Sequence, residues 1–347
     1  MWTRKGSCIE APDPRTKRVS HARTLAYLGS IVGLALLVGL ALRTDFSALS
    51  QIWRLAGRSL LWLVPYRSVY FFCFALGWRQ LLKCYPGADG LSLGYLWWVS
   101  SVREAIDRLL PVASVGGGIV GVRLLAWRGV ARIQSSASVI VEVILTLTAS
   151  YLFAALGAFF MVKLTGISAQ RPTLTALAMT LPIPITCFLL LRYGRWFGRL
   201  ERLLSSMIGF DGSADRGAAL DLELRTLLGR GRALLEAGAL QFAAMASASF
   251  EIWLVLRLFG HPVDAVTAFV LESATQAVRH LAFFIPGGLG AQEAGLVVFG
   301  GLFGIDAETA LAVSLAKRLR EVLCGLPSLI SWQWLEARHL RLARMPC

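Results

Sequence analysis

The stretch HLAFFIPGGLGAQEAGLVVFGG, from His280 to Gly301, places a proline, a glycine cluster and the carboxylate of Glu293 inside an otherwise apolar run. A helix that only crosses a bilayer has no use for them. Proline removes a backbone donor, glycine weakens the helix, and a charge at bilayer depth costs at least about 2.5 kcal/mol. The run therefore reads as helix, break, helix. A weaker counterpart lies earlier in the chain, where VREAIDRLLPVASVGGG from Val102 can be laid on ATQAVRHLAFFIPGGLG from Ala274. Pro111 with Gly116, Gly117 and Gly118 marks the first break, and Pro286 with Gly287, Gly288 and Gly290 marks the second. Residues 91–125 and 265–304 are accordingly predicted to form two re-entrant helical hairpins.

Composition sets the medium. Of 347 residues 56% are hydrophobic and only 16% charged, against about 25% charged in ordinary soluble domains. The mean hydropathy is +0.62. Residues 25–42, LAYLGSIVGLALLVGLAL, carry no charge over nearly the ~20 residues that a bilayer core requires, and no small-residue cleavage site follows them. Further crossings are predicted at 60–78, 137–162, 173–191, 234–259 and 307–335. The fold class is thus an all-α integral membrane protein with about six transmembrane helices and two hairpins. Three crossings separate the hairpins, which makes them enter from opposite faces as an inverted repeat.

Charge supports this plan. The formal net charge of +14 does not call for nucleic acid, because the basic residues gather between apolar runs. Residues 1–24, 79–83, 123–132, 192–232 and 336–347 together hold 22 Lys and Arg, while the alternate connections hold five. Both termini are therefore expected in the cytoplasm, with residues 1–24 a basic tail, 25–335 one polytopic domain, 192–232 a basic loop and 336–347 a second tail. The six cysteines form no C-x-x-C pair and read as packing residues, and the absence of Asn leaves no N-glycosylation acceptor.

Ionisable residues at membrane depth face a protein interior or a wet cavity. In the first hairpin, i,i+4 spacing pairs Arg103 with Asp107 and Glu104 with Arg108. In the second, Glu272, Thr275, Gln276 and Arg279 share a helical face. Lys317, Arg320 and Glu321 share one in the last helix, with a snorkelling cluster at the membrane edge as the alternative. Glu142, Glu236 and Glu251 have no partner that spacing can name. A helix that starts after a glycine turn offers free N–H groups to an anion, yet Glu293 would compete for them. Arg123 or Arg279 is then expected to hold an anionic head group, while Glu293 pairs with a base, Arg123 among the candidates, or carries a proton. Self-neutralised packing glue is the competing reading of the four charges in the first hairpin.

The segments PGGLGAQEAG at 286–295, RLLPVASVGGGIVGVRLL at 108–125 and SLAKRLREVLCGLPSLISWQW at 314–334 resemble the membrane region of lysylphosphatidylglycerol synthases. The similarity covers nearly all of the chain beyond the N-terminal tail, with the Pro-Gly-Gly-x-Gly-x-x-Glu segment its most specific part. Within that flippase-like family, the GGG…VRLL and AKRLREVL…WQW segments look most like the hopanoid-biosynthesis-associated membrane proteins. The resemblance implies a stand-alone protein of the bacterial inner membrane that moves lipids between leaflets, with phospholipid, hopanoid or polyprenyl lipid as partner. Pro286, Gly287, Gly288, Gly290 and Glu293 carry over as the second hairpin, and Arg320 with Glu321 as the polar face of the last helix. Aminoacylation is not implied, since no catalytic domain accompanies the membrane region.

Two other functions stay open. A membrane-embedded transferase would need clustered carboxylates for a metal, or a nucleophile beside a base, and neither pattern is visible. His21, His261, His280 and His339 are scattered. A scaffold recruiting soluble lipid-modifying enzymes would use the basic loop, whose Arg192, Arg195, Arg199 and Arg202 lie beside Trp196 and Phe197. No catalytic motif is visible, so no enzymatic activity, cofactor or metal is expected, and no ATP-binding motif appears, so lipid movement would be downhill or ion-coupled. Cargo, direction and oligomeric state are not encoded legibly.

Overall fold

A computed structural model describes residues 57–85, 87–110, 116–165, 182–194, 197, 199, 215–281 and 290–342. The chain divides into a unit of residues 1–45 and a unit of residues 46–347, and everything described belongs to the second. The expected crossing at 25–42, both extreme tails, and Pro111, Pro286, Gly287 and Gly288 lie outside the described residues.

Among the described residues ten α-helices follow one another: α1 Leu63–Leu82, α2 Leu93–Leu109, α3 Gly116–Trp127, α4 Arg132–Thr165, α5 Pro182–Tyr193, α6 Asp215–Leu228, α7 Gly231–Leu258, α8 Ala265–Leu281, α9 Ala291–Gly301 and α10 Ala307–Leu342. No strand occurs among the described residues. Among them, α4 and α7 are long and apolar enough to cross a membrane. The surface is apolar where a soluble protein's is polar: Ile119, Leu152, Val298 and Ile330 point outward. Arg67, Arg103, Lys317 and Arg320 are buried. That inversion is what a lipid surround selects, because a charge facing hydrocarbon is expensive whereas an exposed Leu or Ile costs nothing there.

Both predicted breaks are present as helix pairs, α2 packed on α3 and α8 packed on α9. Two boundaries differ from the sequence reading. Gly116, Gly117 and Gly118 form the first turn of α3 and do not belong to the break itself. The last helix runs on to Leu342, through Pro327. Ser328 Oγ donates to the Cys324 carbonyl at 3.0 Å, one residue from the carbonyl that proline cannot serve. The basic loop 192–232 also holds α6, whose Leu224, Leu227 and Leu228 are buried where it packs on α4. Three buried leucines within one and a half turns outweigh the surrounding arginines.

The first four helices and the last four are built alike. The helices α2 and α8 are 17 residues each. A side chain caps the start of both, Ser92 Oγ accepting from Tyr95 N at 3.2 Å and Asp264 Oδ1 from Thr267 N at 3.3 Å. The turn leaving α3 uses Gly129 at φ 89°, and the turn leaving α9 uses Gly304 at φ 74°, a left-handed conformation that glycine adopts without penalty. After each glycine a buried β-branched residue donates back into the preceding helix, Val130 N to Leu125 O and Ile305 N to Gly300 O. One constant offset relates every member of the two turns.

Packing follows the same duplication. Helix α1 lies against α7, while α4 packs on α8 and α10 packs on α2. Each long helix thus clasps the break element of the other half. Small residues permit the approach: a Cβ on Gly325 would come within 2.5 Å of Leu109 Cδ1, and one on Gly157 would overlap the Ser273 side chain. A core of Ile252, Val255, Leu256, Leu271, Leu296, Val313 and Ala316 joins α7, α8, α9 and α10.

Candidate functional site: a charged core between the two halves

The amphipathic pattern of α2 and α8 places their polar stripes against α10, and the structure turns those stripes into a continuous network. Arg67 of α1 pairs with Glu104 of α2, which also accepts from Arg108 at 3.3 Å. Arg108 reaches Glu321 of α10 at 3.6 Å, and Arg279 of α8 reaches the same Oε1 at 3.2 Å. Arg320 lies 3.9 Å from Glu321 and forms a 2.6 Å pair with Glu251 of α7. Five helices are linked, and Glu321 joins the first break element to the second.

Flanking pairs complete the core. Lys317 Nζ donates to Glu272 Oε2 at 2.6 Å, and Gln276 donates to the other oxygen at 2.9 Å. Arg103 Nη2 lies 2.5 Å from Glu142, and its guanidinium sits 4.6 Å over the Trp78 ring. The offset that relates the two turns also places Glu142 on Lys317. Each half therefore ties its break element to its long helix with a buried ion pair at this position, and the polarity of that pair is opposite in the two. Gln292 accepts from Arg279 at 3.3 Å and donates to Ser314 at 3.2 Å.

Several sequence expectations are corrected here. Arg103 does not pair with Asp107. Its guanidinium reaches across to Glu142, while Asp107 Oδ1 accepts from Gly117 N at 2.9 Å. The i,i+4 spacing allowed both geometries, and burial of Glu142 decided between them. The Glu104–Arg108 pair is present as expected. Glu293 does not meet Arg123 and is paired with Arg318 at 2.5 Å, its second oxygen accepting from Gly290 N at 2.8 Å. Arg123 stands apart from the core, its side chain 54% exposed and paired with Glu336 near the end of α10. Lys317, Arg320 and Glu321 are buried in the middle of α10, which removes the snorkelling alternative.

The anion reading of the two glycine breaks changes accordingly. At each half-helix start a backbone N–H is already taken by a carboxylate, Gly117 N by Asp107 and Gly290 N by Glu293. His280, exposed on the last turn of α8, joins none of these pairs. Arg67 escaped the sequence reading, although it is a lone charge in the apolar run of α1 and the rule that flagged Glu142 applies to it equally. Arg318 and Gln292 carried no separate signal, because their roles depend on α9 and α10 lying side by side.

Beside this network a narrow cleft of about 10 Å³, room for about one water, is lined by Ser101, Glu104, Arg108, Arg320, Glu321 and Cys324, with Phe71 on its apolar side. Charged side chains that hold one another can exchange partners with a polar ligand without ever being stripped bare.

Comparison with known proteins agrees with the resemblance. The family described as lysylphosphatidylglycerol synthase TM region matches residues 27–327. No curated protein and no solved structure was found to match.

Proposed function

This chain belongs to the lysylphosphatidylglycerol synthase TM region family, and on that premise we propose that it moves a lipid between the two leaflets of the membrane. The polar head group travels along the charged core while the hydrocarbon part stays in lipid. The observation that carries this reading is the Glu321 bridge, which joins α2 to α8 through alternating charges. A polar head group crossing hydrocarbon alone faces the same desolvation cost as a buried charge. A ladder of groups that trade hydrogen bonds lowers that cost at every step.

The topology in this reading has α2–α3 entering as a re-entrant hairpin from the cytoplasmic face and α8–α9 from the opposite face. The 22-to-5 distribution of basic residues supports this orientation and cytoplasmic termini in a bacterial inner membrane. The repeated turns after α3 and α9 support an inverted repeat of the kind used by transporters. The likeness to hopanoid-associated members makes hopanoids and their intermediates the first cargoes to try, with phospholipid as the comparison.

The test uses the full chain in liposomes carrying a labelled lipid in one leaflet. Exchange faster than in empty liposomes, without ATP, is expected, and Arg279→Ala or Glu321→Gln should slow it at least about tenfold, the effect of ~1.4 kcal/mol on a barrier. Unaltered exchange in both variants, or a new lipid product from a donor substrate, would replace this reading with another.

A further inference from the structure

The charged core holds seven carboxylates: Glu104, Asp107, Glu142, Glu251, Glu272, Glu293 and Glu321. Six of them have an arginine or lysine within 4 Å. Asp107 is the exception. Its one hydrogen bond comes from the backbone of Gly117. The cations around it are committed elsewhere. On its own helix Arg103 holds Glu142 and Arg108 holds Glu104 and Glu321. The remaining titratable neighbour, Glu104, carries the same charge as Asp107.

From this we propose that Asp107 is the exchangeable proton site of the protein. The inference rests on the lipid-moving reading, for which it supplies the coupling ion. The other six carboxylates face a full opposite charge at contact distance. At contact distance Asp107 has the partial positive end of α3, roughly half a charge, and one N–H, with Arg103 and Arg108 acting on it from farther off. Its balance between the ionised and neutral forms is therefore the finest in the core. The step is a simple proton transfer: the carboxylate takes up a proton on Oδ2 and Oδ1 keeps its bond to Gly117 N. With the proton on, that bond is no longer charge-assisted, and it loses about half its strength.

The position gives the proton a mechanical consequence. The bond runs from the last turn of α2 to the first turn of α3, so it fastens the two arms of the first break element. The fit is close, since a Cβ on Gly117 would stand 2.5 Å from Asp107 Oδ2 and from the Arg103 carbonyl oxygen. In the second half Glu293 caps its own helix through Gly290 N and pairs with Arg318 of α10, while α8 is joined to α9 by Arg279 donating to Gln292. The first joint is thus the one closed by a carboxylate on a backbone donor, and it is the one that a proton loosens.

The decisive experiment is infrared difference spectroscopy of the full chain in lipid nanodiscs as pH is varied. A protonated-carboxyl C=O band should appear on acidification, vanish in Asp107→Asn, shift in Asp107→Glu and persist in Glu293→Gln. A band that survives in Asp107→Asn, or no titrating band at all, would overturn the proposal. In liposomes, an imposed pH gradient should change the lipid exchange rate of the wild type, while Asp107→Asn gives one rate with or without the gradient. Wild-type exchange indifferent to the gradient sinks the coupling and leaves lipid movement standing. A titrating Asp107 band in a protein that exchanges no lipid keeps the proton site and sinks the lipid reading.

Discussion

Replacing Lys317 by methionine isolates one buried charge and lets its cost be worked out. Lys317 Nζ lies 2.6 Å from Glu272 Oε2, with side chains only 4% and 1% exposed. Without the lysine, Glu272 keeps only Gln276 as a donor. An ionised carboxylate left buried costs about 3–5 kcal/mol. The carboxylate can instead take a proton, at about 1.36 kcal/mol for each pH unit above its solution value near 4.3, hence about 3.7 kcal/mol at pH 7. The two routes are comparable at pH 7, and the loss of stability should be about 3–4 kcal/mol. At pH 5 protonation costs only about 1 kcal/mol, and the loss should shrink to match. The sign follows from the variant's native state binding one more proton than its unfolded state, so its stability rises as pH falls. Glu272→Gln combined with Lys317→Met removes the charge altogether and should recover most of the loss, since paired removal is often neutral. Denaturant unfolding in mixed micelles, followed by tryptophan emission at pH 7 and pH 5, gives all three numbers. A single-variant loss under about 1 kcal/mol at pH 7, or one that does not shrink at pH 5, would show that the pair is hydrated and that the core is not the low-dielectric network described.

Three further outcomes are expected. Gly117→Ala must displace either the Arg103 carbonyl or Asp107, and should cost about 1–3 kcal/mol in the same unfolding assay. The Arg123–Glu336 pair is exposed on the arginine side while the Glu336 side chain is mostly covered, so Arg123→Glu should cost about 1 kcal/mol or more and Glu336→Arg should restore it, whereas Glu293→Arg should not. Asp306, in the turn before α10, has its carboxyl held below the ordinary aspartate range by the hydrogen bonds from Thr309. Its stabilisation is present above the unfolded value and lost as pH falls through the native one, so Asp306→Ala should lower the midpoint of unfolding at pH 7 and leave it unchanged at about pH 2.

Much of the charged core was legible in the residues alone, for a reason that favours membrane proteins. In an apolar run every charge stands out, and the 3.6-residue period shows which of them share a face, as it did for Glu272 with Gln276 and for Lys317 with Arg320. The family resemblance was legible because Pro-Gly-Gly-x-Gly-x-x-Glu is a rare string. Partner choice was not. The spacing of Arg103 and Asp107 permitted an intrahelical pair, and nothing local revealed that Glu142 waits on α4 or that Gly117 N turns towards Asp107. The boundaries of the glycine break also misled, because Gly116, Gly117 and Gly118 are weak helix formers that α3 incorporates once its flank is packed.

Order along the chain determined that this protein is helical and apolar outside its polar stripes, because periodicity and the cost of burying charge act within a single helix. The tertiary structure decided which carboxylate meets which cation. An ion pair across helices depends on two crossings at once, and only when α10 lay against α2 and α8 did Glu321 find both arginines, Glu293 find Arg318, and Asp107 remain without a cation.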